Sequence, residues 1–144
     1  MAVPRLDLTD APSDGDMAIM MSGLTAFNTA DVGPSQRRSL AVLIRGDDDA
    51  VVGGMFGYTG WGWLFTQWLF IPEPLRGQGM AGQLLAKAEA EAIARGCHGA
   101  WIDTFNPQAL RAYQRQGYVI FGALADFPPG RSRTFLQKQL SSRS

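Results

Sequence analysis

The stretch Leu75-Arg76-Gly77-Gln78-Gly79-Met80-Ala81-Gly82 limits the fold of this chain more than any other. It follows the apolar run from Trp68 to Ile71 and opens a long segment of helical periodicity at Ala81. A strand, a glycine-rich bend and a helix start, in that order, present bare backbone N–H groups to an anion. The first turn of a helix leaves these groups unpaired, and the aligned peptide dipoles place partial positive charge there. Gly77 and Gly79 lack a Cβ, so the backbone can bend sharply and come close to a ligand. Arg76 adds a charged fork suited to phosphate oxygens. The stretch reads as a diphosphate cradle.

Three kinds of chain build such a cradle, and spacing separates them. A P-loop needs Lys and then Ser or Thr after its glycine, whereas Met80 and Ala81 follow Gly79 here. The dinucleotide fingerprint G-x-G-x-x-G is met by Gly77, Gly79 and Gly82, with Asp103 about twenty residues further on. That turn directly follows its strand, however, and here Pro72 to Arg76 intervene. The third pattern, Arg-x-x-Gly-x-Gly/Ala, is met by Arg76, Gly79 and Ala81. It resembles the acetyl-CoA-binding motif of the GNAT superfamily of N-acetyltransferases. A glycine-rich helix start that holds no ligand is the plain structural alternative.

The chain of 144 residues suits one domain, expected to span 1–144, and is long enough to bury a core without staples. Thirteen basic and thirteen acidic residues cancel, so no net field recruits nucleic acid or anionic lipid. Cys97, the only cysteine, cannot form an internal disulfide, and no signal-like segment opens the chain. No apolar run approaches the length of a bilayer span. The expected location is the cytoplasm.

Val3 to Thr9 alternates apolar and polar residues, which predicts a short first strand. Pro12 with Ser13 or Asp14 then starts a helix to about Asn28, with Met17, Met20, Met21, Leu24 and Phe27 along one side. Residues from Ala30 to Ser39 read as a loop. Leu40–Arg45, Ala50–Tyr58 and Trp61–Ile71 read as three strands joined by turns at Gly46–Asp49 and Thr59–Gly60, an antiparallel meander. The acidic triplet Asp47-Asp48-Asp49 lacks further carboxylates at calcium-loop spacing and reads as a solvated hairpin turn, so no metal site is expected. Trp61, Trp63, Phe65 and Trp68 are read as core by default.

After the cradle, Ala81, Leu84, Leu85, Ala88 and Ala92 form one apolar stripe, with Gln83, Lys87, Glu91 and Arg95 towards solvent and Gly96 as the stop. Ala100–Phe105 is the next strand. A strand–helix–strand crossover makes it parallel to the Trp61–Ile71 strand. Asn106 is a good N-cap, Pro107 fits the first helical position, and Gly117 can end the helix. The same residues, Asn106, Ala109, Tyr113, Gly117 and Tyr118, also resemble a late GNAT signature. Tyr118–Leu124 and Thr134–Leu140 read as a closing pair of strands around Pro128-Pro129-Gly130.

The resemblance covers roughly Leu40 to Leu140, and the preceding residues are only compatible with it. It implies an α/β (α+β) fold: a mixed, mostly antiparallel sheet whose central parallel strands splay apart, flanked by helices. It also implies the parts of a site. Acetyl-CoA would be the cosubstrate, its pyrophosphate held by backbone amides of Gln78, Gly79, Ala81 and Gly82 in the bend that includes Gly77, helped by Arg76. Pantetheine would pair with the strand near Ile71. The Leu69 N–H would face the thioester oxygen, Asn106 would bond the pantetheine arm, and Tyr113 would protonate the departing thiolate. In the GNAT pattern the Ala30–Ser39 loop helps to wall the acceptor site.

One departure from the family concerns the base. Many GNAT enzymes carry a glutamate on this strand, and Thr66 and Gln67 stand at its central polar positions here. Glu73, Asp103 and His98 are other titratable residues nearby in sequence, and none is assigned; a water relay is expected. The acceptor would be a small amine or, second in order, a protein amine, with a homodimer left open. A GNAT-like domain that binds coenzyme A without turnover is the other class, and the presence of Tyr113 favours the enzyme. A dinucleotide oxidoreductase is third.

Overall fold

In the computed structural model, which describes residues 3–140, Ser13 caps helix α1 (Asp14–Val32). Its hydroxyl accepts from the Asp16 N–H at 3.0 Å, and the Asp16 carboxylate accepts from the Ser13 N–H at 3.1 Å. This reciprocal capping box supplies the start signal seen in the sequence. The helix runs past Asn28 and ends at Gly33, whose φ of 89° lets the chain turn out. The strand expected at Val3–Thr9 does not form; residues 3–9 carry no regular structure, and Val3, Leu6 and Leu8 are exposed. Alternation marks a strand only where a neighbour pairs with it. Residues up to Ser35 make up one compact unit of the chain.

The second unit begins at Gln36. Its elements are β1 (Arg38–Arg45), β2 (Val51–Gly60), β3 (Trp63–Phe70), a 3-10 turn (Glu73–Leu75), α2 (Met80–Ala94), β4 (Gly99–Thr104), α3 (Pro107–Arg115), β5 (Val119–Ala125) and β6 (Ser132–Gln139). The strands form one sheet in the order β1-β2-β3-β4-β6-β5, antiparallel everywhere except between β3 and β4. The second hairpin turns at Trp61–Gly62, two residues later than expected. Both residues have positive φ, 47° and 80°, the requirement of a tight two-residue hairpin. Thr59 and Gly60 instead remain paired, with Leu64 and Trp63.

Leu40, Met55, Leu64, Ala100, Ile102 and Leu136 point to one face of the sheet and are buried with Leu84, Leu85, Ala88 and Ala92 of α2. Two polar anchors fix the helices to this face. Arg95, expected in solvent, folds back instead: it donates to Thr59 Oγ1 at 3.1 Å and to the Arg38 carbonyl at 3.2 Å. Glu89 is buried on α2, where it accepts from Tyr118 Oη at 2.9 Å and pairs with Lys138 Nζ at 2.7 Å. A buried carboxylate is tolerable only with such partners.

The aromatic residues of β2–β4 occupy the opposite face, not the core. Phe65 stacks on Trp101 at 4.0 Å, Tyr58 meets Phe65 edge-on, and Phe56 lies against Trp68. Trp61 and Trp68 are exposed.

The feature that positions the site is a split in the sheet. β3 and β4 pair only from Trp63/Gly99 to Thr66/Ile102. Beyond that point a bulge at Gln67 shifts the β2–β3 register, so that Phe56 faces Trp68 while Gly57 faces Thr66. A bulge bends its strand and increases its twist. Thr66 Oγ1, buried at the fork, has no hydrogen-bond partner among the described residues.

Candidate active site

The fork opens into a cleft of about 1120 Å³. Three elements meet there: the end of β3 (Leu69, Phe70, then Ile71), the start of α2 (Arg76, Gly77, Gly79 to Gly82), and the start and inner face of α3 (Asn106, Ala109, Tyr113). Every site residue expected from the sequence lines this one space except Gln78, whose side chain turns back to donate to the Pro74 carbonyl at 2.9 Å.

Helix α2 begins without a side-chain cap. Its N-cap is Gly79, in the left-handed region at φ 76°, ψ 15°, and Gly77 has φ 75°. A Cβ built on either glycine would meet no atom within 4 Å. These glycines are therefore not forced by packing; they bend the chain and leave open space against the backbone. Gly82 differs, because a Cβ there would stand 3.1 Å from Gln116 Oε1. The third glycine lets α2 and the end of α3 approach each other. Arg76 donates its Nε to the Ile71 carbonyl at 2.8 Å, which holds the guanidinium at the cleft.

Helix α3 starts as the sequence predicts. Asn106 Oδ1 accepts from Gln108 N at 2.9 Å and from Ala109 N at 3.0 Å. One turn on from Ala109, Tyr113 is 5% exposed. Its phenol is pushed up from 10.0 to about 12, first by burial and then by the negative charge of Asp103. It keeps its proton throughout the neutral range. Asp103 itself is paired with Arg133 Nε at 2.9 Å.

Two charged cleft residues escaped the sequence reading: Arg111 and Arg115 of α3. They are four apart, so they share a side of the helix, and with Arg76 they make the rim of the cleft positive. Spacing was the available signal, but only the docked helix shows which way that side faces. The Phe127–Arg131 turn also reaches this region, since Arg131 donates to the carbonyl of Phe105, a cleft residue, at 3.0 Å. His98 lies elsewhere, edge-on to Trp63 at 5.3 Å. No helix among the described residues is long and apolar enough to cross a membrane.

Known proteins share this sequence and this fold. Residues 22–118 match the family described as "Acetyltransferase (GNAT) family". Acetyltransferase Atu2258 of Agrobacterium fabrum (strain C58 / ATCC 33970) is 47% identical over 133 residues, covering 92% of this chain and 95% of the relative. Blasticidin-S acetyltransferase of Streptomyces morookaense is 36% identical over 96 residues, 66% of this chain and 71% of that one. A crystal structure of a candidate acetyltransferase from Agrobacterium tumefaciens superposes with a TM-score of 0.90 at 46% identity, over 94% of this chain and 99% of that one.

Proposed function

Since the chain belongs to the GNAT acetyltransferase family and is an acyltransferase, we propose that it moves an acetyl group from acetyl-CoA to an amine in this cleft. The observation that carries the reading is the convergence of three features on one space: an uncapped helix start, a split sheet edge and a buried phenol. Acetyl-CoA supplies the acetyl group activated as a thioester.

The open glycines fit the coenzyme: backbone N–H groups of Gln78, Gly79, Ala81 and Gly82 hold the pyrophosphate, and Arg76 adds charge-assisted bonds. Arg111 and Arg115 bring further positive charge for the remaining phosphate. The β3 edge at Leu69–Ile71 is released from β4 and accepts the pantetheine arm as an added strand would be accepted. Asn106 spends its carbonyl oxygen on the helix cap, so its amide NH2 is the end that reaches the arm. The Leu69 N–H stabilises the charge that gathers on the carbonyl oxygen as the amine attacks.

The amine nitrogen bonds to the acetyl carbon, the carbon–sulfur bond breaks, and the thiolate leaves. Tyr113 meets that charge. A phenol near 12 is a weaker acid than an ordinary thiol near 8.5, so in water it would not give up its proton to the sulfur. In a dry cleft the thiolate's own proton affinity rises too. Tyr113 donates a hydrogen bond first and a proton as the charge becomes complete. The amine loses its proton through water, because Thr66 is buried in the core and Asp103 is tied to Arg133.

The acceptor is a small amine. A panel of amines offered with acetyl-CoA, read by thiol release, tests the whole reading. Amine-dependent thiol release with an N-acetylated product is expected. Coenzyme binding with no turnover on any amine would leave a binding module instead.

A further inference from the structure

Just past the fork stands an ion pair that takes no part in the acetyl transfer described above. β3 and β4 part after Thr66 and Ile102, and Asp103 is the next residue of β4. Trp101 and Asp103 alternate with Ala100 and Ile102, which are buried with α2, so both turn away from that helix. Across the β4–β6 ladder Asp103 lies opposite Phe135. Arg133, two residues before Phe135, shares that face and donates its Nε to Asp103 Oδ1 at 2.9 Å. The two side chains are 33% and 17% exposed. The charge of Asp103 reaches the Tyr113 phenol, so the pair borders the reacting end of the cleft.

Arg133 is equipped for more than this one bond. A guanidinium carries five N–H donors, and two-pronged pairing with one carboxylate uses two of them. No other residue among those described accepts from it. Its place is nevertheless fixed. It lies over the Phe127 ring at 5.0 Å and the Phe135 ring at 5.4 Å, measured to the ring centroids. The turn that carries Phe127 is tied down in its own right. The Phe127 N–H donates to the Arg131 carbonyl at 3.1 Å, and Arg131 donates to the Phe105 carbonyl at 3.0 Å. The two arginines therefore divide the work: Arg131 holds the turn to the end of β4, while Arg133 keeps donors open beside the fork. A half-buried guanidinium, held in place with donors to spare, is a receptor for a planar anion.

We propose that Arg133 receives a carboxylate on the acceptor, so that the amine acetylated here belongs to a small amino acid, an assignment that rests on the acetyl transfer proposed above. The charges favour this class. Arg133 and Asp103 together are neutral, and they match the two ends of a zwitterion: the carboxylate goes to Arg133, and Asp103 attracts the ammonium arriving at the fork. A doubly charged phosphate would meet Asp103 with repulsion. Trp101, stacked on Phe65 at 4.0 Å next to Asp103, offers an apolar wall to the acceptor's side chain.

The test reads binding, which does not depend on turnover. Calorimetry on the full chain with coenzyme A present compares a panel of N-acetyl amino acids, aromatic and aliphatic, with their uncharged methyl esters. At least one free acid is expected to bind about ten- to a hundredfold more tightly than its ester. Arg133→Gln should remove that difference while affinity for coenzyme A, which reports an intact fold, is kept. Arg133→Lys keeps the charge but not the fork and should retain only part of the difference. No acid bound better than its ester, or a preference that survives Arg133→Gln, would overturn the proposal. An acid preference that Arg133→Gln removes, in a protein that releases no thiol from acetyl-CoA with any amine, would uphold the carboxylate site and reject acetyl transfer.

Discussion

Two helices begin at the same cleft, and they treat their free N–H groups in opposite ways. Helix α3 opens on Asn106, whose side chain accepts from two of those groups at 2.9 and 3.0 Å. Helix α2 opens on Gly79, which has no side chain and no cap hydrogen bond. A capped start is complete without a ligand, whereas an open start gains most from an anion. The difference separates scaffold from binding site within one cleft. It also says where on α3 chemistry can reside: not at its start but further along, at Tyr113.

The largest expected effect lies there. Tyr113→Phe keeps the ring and its packing but removes the proton, and general acid help is typically worth ~10²–10⁴ in rate. A fall of that size in kcat is expected, with coenzyme affinity and Tm nearly unchanged, the pattern of an interaction made in the transition state. Full activity in the variant would make Tyr113 a core aromatic and leave α3 purely structural.

The α3 side should also be the one that fails in alkali. The folded state holds the Tyr113 proton more tightly than the unfolded chain, whose phenol titrates near 10.0. Stability from this source is complete below that pH and is lost as pH rises through about 12. The loss is on the order of 2–3 kcal/mol. Tyr118 is raised in the same direction, by burial and by the Glu89 carboxylate it bonds, and steepens the decline. Denaturant titrations across this range should show the fall, and Tyr113→Phe should flatten it. A flat wild-type profile would mean that Tyr113 is wetter than its burial indicates.

Gly79→Val addresses the open start. A branched side chain fills the space against the backbone and opposes the positive φ of 76°. Losing one charge-assisted hydrogen bond costs roughly 1.5–3 kcal/mol, or about ten- to a hundredfold in coenzyme affinity. An unchanged thermal shift by acetyl-CoA would place the cradle elsewhere. Asn106→Ala should do the reverse and has the smallest effect. Loss of the cap costs about 1 kcal/mol of stability, read by denaturant midpoint, while coenzyme affinity falls less than in Gly79→Val. Equal affinity losses in the two variants would erase the contrast between the helix starts.

Both helix starts were legible in the sequence because each is a local matter: a glycine with no cap, an asparagine before a proline. So was the crossover that makes β3 and β4 parallel. The split between those strands was implied only by the family resemblance, since it depends on where pairing stops at Thr66 and on the bulge at Gln67. The strand expected at Val3–Thr9 failed for the same reason: a pattern inside a segment says nothing about whether a neighbour exists. Trp61 and Trp68 read as core because aromatic residues usually are, but Trp61 sits in the turn between β2 and β3, and alternation places Trp68 on the face opposite α2. Arg95 read as solvent-facing, although its long stem let the guanidinium fold back onto Thr59. Arg111 and Arg115 were missed because their role depends on how α3 docks.

The open start of α2 is tested most directly by calorimetric titration of the unmodified protein with acetyl-CoA, NAD and ATP in turn. The expected result is one molecule of acetyl-CoA bound per chain and no measurable heat of binding from the other two. Tight binding of NAD without binding of acetyl-CoA would contradict both the cradle and the chemistry assigned to the cleft.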